Sequence, residues 1–124
     1  MRAILILLCW PLSAHALGLK LSWDQNPPGD NAQYIVYMGL EPEAKGMIVV
    51  DQTGTKNVVL FNPAECSLPI TIWTPQLCFR VKAKNSKGES DFSEPACIQL
   101  TETDFISRGL SCGPQVPLNF HIGG

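Results

Sequence analysis

Four of the five cysteines, those beyond the leader described below, are the residues whose type and number first suggest chemistry. They are Cys66, Cys78, Cys97 and Cys112, with 11, 18 and 14 residues between successive members. No closely spaced Cys-x-x-Cys pair of the kind that builds zinc sites occurs among them, so we expect no metal. An even number of cysteines in an exported chain predicts disulfide bonds, and four cysteines leave three connectivities open.

Catalytic groups are sparse. Nucleophilic catalysis needs a base beside the nucleophile, and His121, the one histidine beyond the leader described below, lies in a glycine-ended tail. Asp24 and Asp30 flank a proline loop and could be imagined as an acid/base pair or a calcium site, but solvated loop carboxylates are far commoner. We therefore predict a protein that is not an enzyme and needs no cofactor.

A stripe of basic side chains runs along one strand face and into the following turn. It consists of Arg80, Lys82, Lys84 and Lys87. One interpretation is a solubilising outer face beside acidic neighbours such as Glu89 and Glu94. The other is a surface that binds an anionic ligand, which makes these four residues the candidate binding surface.

The chain opens MRAILILLCWPLSAHA, which has the three-part build of a secretory signal peptide. Arg2 gives a positive start, Ala3 to Leu12 an apolar run, and Ala14-His15-Ala16 a small-residue cleavage pattern. The apolar run is shorter than the roughly 20 residues that span a bilayer. We expect cleavage after Ala16, a secreted protein, extracellular or periplasmic, and no membrane anchor.

Charge and length exclude further classes. From residue 17 onward the chain has eight basic and eleven acidic residues, a net charge near −3. This balance and the lack of a long basic run argue against a nucleic-acid partner. A chain of this length makes one domain and buries roughly 65% of its unfolded surface.

The rest of the sequence is a series of short apolar or alternating runs. They are LGLKLSW (17–23), QYIVYM (33–38), MIVV (47–50), NVVLF (57–61), LPITIW (68–73), LCFRVKAK (77–84) and CIQL (97–100). Prolines and glycines separate them, and no segment shows sustained helical periodicity. Many short strands at this spacing predict an antiparallel sandwich or barrel.

Two stretches carry a resemblance to a known family. LSWDQNPPGDNAQYIVYMG is similar to the second and third strands, and FRVKAKNSKGESDFSEP to the sixth strand and the turn after it, of the fibronectin type III domain. The resemblance covers roughly Leu17 to Thr101 and implies an all-β, antiparallel immunoglobulin-like sandwich. It also implies a core of Trp23, Tyr34, Val36, Phe79, Val81 and Ala83, and a final loop shaped by Asn85, Gly88, Ser90 and Ser93.

The sequence departs from the family pattern at three points. The first family strand is missing, because the leader ends where it should lie. Leu77 stands where the family has the tyrosine whose hydroxyl bonds back to the backbone. About ten extra residues separate the third and sixth strands, so either 57–61 or 69–73 could be the fifth strand, with the other inserted.

The resemblance also suggests how the cysteines pair. Cys78 lies on the outward face of the sixth strand, and the seventh strand returns beside it with Cys97 roughly opposite. Directly opposed residues in antiparallel strands are about 4.5–5.5 Å apart at Cα, within reach of a disulfide. Cys66 and Cys112 are then left to bond each other.

The predicted organisation is a signal peptide (1–16), a fibronectin type III-like domain (17–101) and a C-terminal tail (102–124). The resemblance implies a secreted, non-catalytic binding or adhesion module with a protein or carbohydrate ligand. The alternative is a structural or assembly subunit of a surface or viral particle, joined through an open sheet edge. Without a first strand that edge belongs to residues 17–23. Either the tail or a strand-addition partner would cover it, or the edge stays bare beside a disordered tail.

Overall fold

Two antiparallel β-sheets face each other across an apolar core. The structure is a computed structural model that describes residues 18–61 and 68–110 in full and residues 5–8 as backbone only. The strands are β1 (Leu5–Leu8), β2 (Leu19–Trp23), β3 (Gln33–Gly39), β4 (Ile48–Gly54), β5 (Val58–Phe61), β6 (Gln76–Asn85), β7 (Gly88–Glu89) and β8 (Ala96–Gln99), followed by helix α1 (Glu102–Arg108). One sheet has the order β1-β2-β5, and the other has β4-β3-β6, with β7 and β8 both paired to β6. The predicted all-β sandwich is confirmed.

Alternation along the strands builds the core. In β2, Leu19, Leu21 and Trp23 are buried while the intervening residues are partly exposed, as expected for a strand with one face inside. All six residues that the resemblance placed in the core have at most 2% exposure. The ring of Trp23 meets that of Tyr34 edge-on at 5.5 Å, so the two sheets contact each other through aromatic side chains.

The fifth strand is β5. It pairs antiparallel with β2, with Phe61 opposite Leu19. Of the two candidates for the fifth strand, 57–61 is therefore the one that forms it. The other candidate, 69–73, is not a strand, which corrects the expectation of a strand over LPITIW. Pro69 and Pro75 lack backbone N–H groups and cannot donate to a strand ladder, which disfavours a paired strand over this segment.

Helix α1 was not foreseen. Thr101 caps it, accepting a hydrogen bond from the Asp104 amide while the Asp104 carboxylate accepts one from the Thr101 amide. Its one buried residue is Phe105, which is fully inside the core, and a seven-residue helix with a single apolar anchor gives no periodicity to detect. The Thr-x-x-Asp capping pair was the readable signal. Residues 102–110, which we assigned to the tail, thus pack on the sandwich.

A strand lies along the outer edge of β2 in the full chain. Leu5–Leu8 pairs antiparallel with β2, from Leu5 opposite Trp23 to Leu8 opposite Lys20. These residues belong to the predicted leader. The predicted open edge of β2 is therefore covered in the full chain, and it would be open only in a chain that starts at Leu17. The cleavage site at Ala14–Ala16 and the tail beyond Leu110 lie outside the described residues. No helix in the described ranges is long and apolar enough to cross a membrane.

Candidate binding surfaces

The hairpin of β6 and β8 carries the predicted disulfide. Cys78 and Cys97 are directly opposed in the ladder and bonded, with their Cα atoms 4.0 Å apart. Cys78 was expected on the outward face of its strand, but its side chain is fully buried, whereas Cys97 on β8 is exposed. Cys66 and Cys112 lie outside the described residues, and their pairing stays a prediction.

Between β7 and β8 the chain is not a strand, and two serine hydroxyls accept the hydrogen bonds of β6 amides there. The hydroxyl of Ser90 accepts from the Ala83 amide and that of Ser93 from the Val81 amide, each at 2.9 Å. The turn before them needs glycine at Gly88, where φ is 137°. Asn85 accepts from the Lys87 amide and so closes that turn.

The basic stripe is largely engaged within the protein. The guanidinium of Arg80 donates to the carbonyl of Pro42 at 2.7 and 2.9 Å and to that of Ser93 at 2.9 Å. It therefore ties the loop after β3 to the segment before β8. Arg80 is a structural clamp more than a free cation.

Lys82 lies over aromatic rings. Its ammonium is 4.4 Å from the centroid of Phe92 and 5.9 Å from that of Tyr37, and the two rings meet edge-on at 4.9 Å. Lys84 pairs across the ladder with Glu89, and Lys87 is exposed in the turn. Arg80, Lys82 and Lys84 alternate along one face of β6 and Lys87 follows in the turn, but their charges are used unevenly.

A second surface lies at the end of β3, where the irregular segment 68–75 runs past the loop that leads to β4. It forms an open groove of about 430 Å³. Four of its lining side chains are large, apolar and exposed: Leu40 at 54%, Ile48 at 51%, Ile72 at 65% and Trp73 at 42%. We call these four residues and the space between them the apolar groove.

Hydrogen bonds fix both walls of the apolar groove. The indole of Trp73 donates to the Leu100 carbonyl at 3.2 Å, and the Leu100 amide donates to the Pro75 carbonyl at 2.8 Å. Across from it, the Gln76 side chain donates to the Leu40 carbonyl at 3.1 Å. A Cβ atom on Gly39 would lie 2.9 Å from Cγ of Met47, so a larger residue there would force the Met47 side chain to shift. The groove is therefore preformed.

The chemistry of the apolar groove is that of a contact surface. Among its described lining residues there is no carboxylate, histidine or cysteine; the polar side chains are Thr71 and Thr74. Asp30, one of the two loop carboxylates, accepts from the Asn26 side chain at 3.2 Å, and Asp24 is exposed. No group of three His, Cys, Asp or Glu side chains in the described ranges could hold a metal ion.

Sequence reasoning missed the apolar groove because it took LPITIW for a strand. In a strand the alternate residues Ile70 and Ile72 share a face; here Ile70 is 7% exposed and Ile72 is 65% exposed. The available signal was the pair of flanking prolines, which argues against a paired strand.

Comparisons with known proteins concern the fold. No family model and no curated protein sequence matches the chain. A fibronectin type III domain derived from the human KIAA0970 protein superposes with a TM-score of 0.55 at 15% identity, covering 99% of this chain and 83% of that one. The fibronectin type III domain of human fibronectin type III domain containing protein 3 gives a TM-score of 0.48 at 20% identity, covering 79% and 83%.

A third similar structure is the pectate lyase PelI from Erwinia chrysanthemi, with a TM-score of 0.57 at 11% identity. The match covers 78% of this chain but only 27% of that one, so this chain spans about a quarter of the lyase's length. The strand order, the burial of Trp23 and the β6–β8 hairpin fit the architecture of a fibronectin type III sandwich. The described chain has a fibronectin type III-like fold, followed by helix α1.

Proposed function

We propose that the protein is a secreted, non-catalytic binding module that holds its ligand in the apolar groove. The observation that carries this proposal is the grouping of Leu40, Ile48, Ile72 and Trp73 as exposed side chains on two fixed walls. Exposed apolar side chains are ordinary when they are scattered, but a group that lines one groove points to a contact site.

The energetics favour the apolar groove over the basic stripe. Burying one large apolar side chain contributes about 1.5–3 kcal/mol, and Trp is among the residues that dominate binding energy at interfaces. The fixed walls lower the entropy cost of ordering the site when a ligand binds. On the basic stripe, by contrast, a ligand would have to compete with the contacts that Arg80 and Lys82 already make.

Two further features support export and a binding role. The Cys78–Cys97 bond belongs to an oxidising compartment, in agreement with the leader predicted over 1–16. The lining of the apolar groove offers no acid, base or nucleophile pair of the kind that catalysis requires. A protein or a carbohydrate surface with an apolar face fits the groove.

The alternative role, an assembly subunit joined through a sheet edge, has one observation in its favour. The strand that covers β2 lies within the predicted leader, so processing would uncover that edge. Sizing of the purified exported protein separates the two roles, because a binding module is monomeric alone whereas an assembly subunit self-associates.

The apolar groove can be tested with a matched pair of variants. Leu40 in the groove and Leu60 on the opposite sheet are exposed to 54% and 58%, so Leu40→Ser and Leu60→Ser remove the same side chain from similarly exposed positions. Immobilised exported protein should capture its ligand from the native source, and Leu60→Ser should do so equally well. Leu40→Ser should weaken the capture, and adding Ile72→Ser should abolish it. Equal capture by both variants would show that the groove is not the site.

A further inference from the structure

Strand β1 shows what kind of segment the edge of β2 accepts. It runs antiparallel to β2 over four residue pairs, and β5 occupies the other side of β2. The side chains of β2 that face the core, Leu19, Leu21 and Trp23, are at most 2% exposed. Loss of β1 would leave a row of unpaired backbone groups directly beside this apolar row.

Proteins cover or blunt an edge of this kind, because it is a template for another strand. Within β2 itself the only charged residue is Lys20. We propose that, once the leader has been removed, the C-terminal segment 111–124 replaces β1 along β2. This proposal is independent of the apolar groove and of the ligand.

The first argument is where the described chain ends. The amide of Gly18 donates to the Arg108 carbonyl at 2.9 Å, and the Arg108 guanidinium donates to the Gly18 carbonyl at 3.1 Å. Leu110, two residues further on, is buried. The described chain therefore ends close to Gly18, the residue that precedes β2.

The second argument is the pattern of the segment. Apolar and non-apolar positions alternate through VPLNFHI, residues 116–122. Val116, Leu118, Phe120 and Ile122 fall on one side of an extended chain, and Pro117, Asn119 and His121 on the other. Strict alternation over this length is the signature of a half-buried strand, and proline is tolerated where a strand lies at the edge of a sheet.

The third argument is reach. The five residues of β2 are about 17 Å long at roughly 3.3 Å per residue. The five residues 111–115 can span about the same distance when extended. The chain can thus cross to the Trp23 end and return over 116–122, antiparallel to β2 in the direction that β1 takes.

The test uses two charge-matched pairs of substitutions in the processed chain, residues 17–124. Leu118→Asp with Phe120→Asp places charge on the predicted inner side, and Asn119→Asp with His121→Asp places it on the outer side. We expect the inner pair to lower the melting temperature by at least about 5 °C and the outer pair by less than about 2 °C. In the unprocessed chain, residues 1–124, neither pair should matter, because β1 already covers β2.

Hydrogen exchange over residues 17–23 reports on the edge directly. These amides should be protected in the processed chain and should exchange at least about tenfold faster with the inner pair. Equal effects of the two pairs, or unchanged exchange at β2, would overturn the proposal. So would an exported protein that retains residues 5–8, or a processed chain that protects β2 only as a dimer.

Discussion

The basic stripe and the apolar groove both use residues from β3 or β6 and the loops beside them, but they differ in how much of their chemistry the protein itself consumes. On the basic stripe, Arg80 donates to two carbonyls and Lys82 lies over two rings. In the apolar groove, the hydrogen-bonding atoms are used to fix the walls while the apolar faces stay exposed. A row of charges in a sequence therefore says little about a free binding surface until the partners of each charge are known.

The largest effect that would sharpen this comparison is loss of the disulfide. Replacing Cys78 and Cys97 together by Ala should lower the free energy of unfolding by about 2–4 kcal/mol in the chain-entropy account, because the bond closes a loop of 18 intervening residues. Chemical denaturation of the native and doubly substituted proteins gives this value. Since β8 leads to Leu100, which holds Trp73, ligand capture should weaken as well. Unaltered stability would show that the Cys78–Cys97 bond does not stabilise the fold.

Replacing Arg80 tests whether it is a clamp. Arg80→Met keeps the length of the side chain but removes three hydrogen bonds to carbonyls, so the free energy of unfolding should fall by about 2 kcal/mol. Arg80→Lys should recover only part of the loss, because an ammonium cannot reproduce the planar fork. If Arg80→Met instead left stability unchanged and abolished ligand capture, the basic stripe would be the binding surface.

The smallest effect concerns Lys82. Lys82→Met should cost about 0.5–1 kcal/mol through loss of the contacts with Phe92 and Tyr37. Lys87→Met, in the exposed turn, is the matched control and should change stability by less than about 0.5 kcal/mol. Equal values for the two substitutions would mean that the ring contacts contribute nothing in solution.

Local patterns were enough to predict much of the fold. Alternation in 17–23 and 77–84 correctly predicted which side of β2 and β6 is buried, and the strand order placed Cys97 opposite Cys78. These features follow from the period of a strand, which a single sequence displays directly.

What could not be predicted depends on contacts between distant segments. The role of Arg80 rests on the carbonyl of Pro42, 38 residues away, and the groove exists because Trp73 is tied to Leu100, 27 residues away. Helix α1 depends on Phe105 finding space in the core. No local period or propensity encodes these distances.

The central claim is that the apolar groove, and not the basic stripe, binds the ligand. The most direct measurement is the Kd of the captured ligand for four proteins: the native chain, Leu40→Ser with Ile72→Ser, Leu60→Ser, and Lys82→Ala with Lys84→Ala. We predict a loss of at least about tenfold for the groove pair, and changes within about twofold for the other two variants. The affinity of the native protein should also be nearly equal at about 50 mM and about 500 mM salt, because screening affects exposed charges far more than apolar contacts. A tenfold loss confined to the lysine pair, with affinity that falls steeply in salt, would contradict the account.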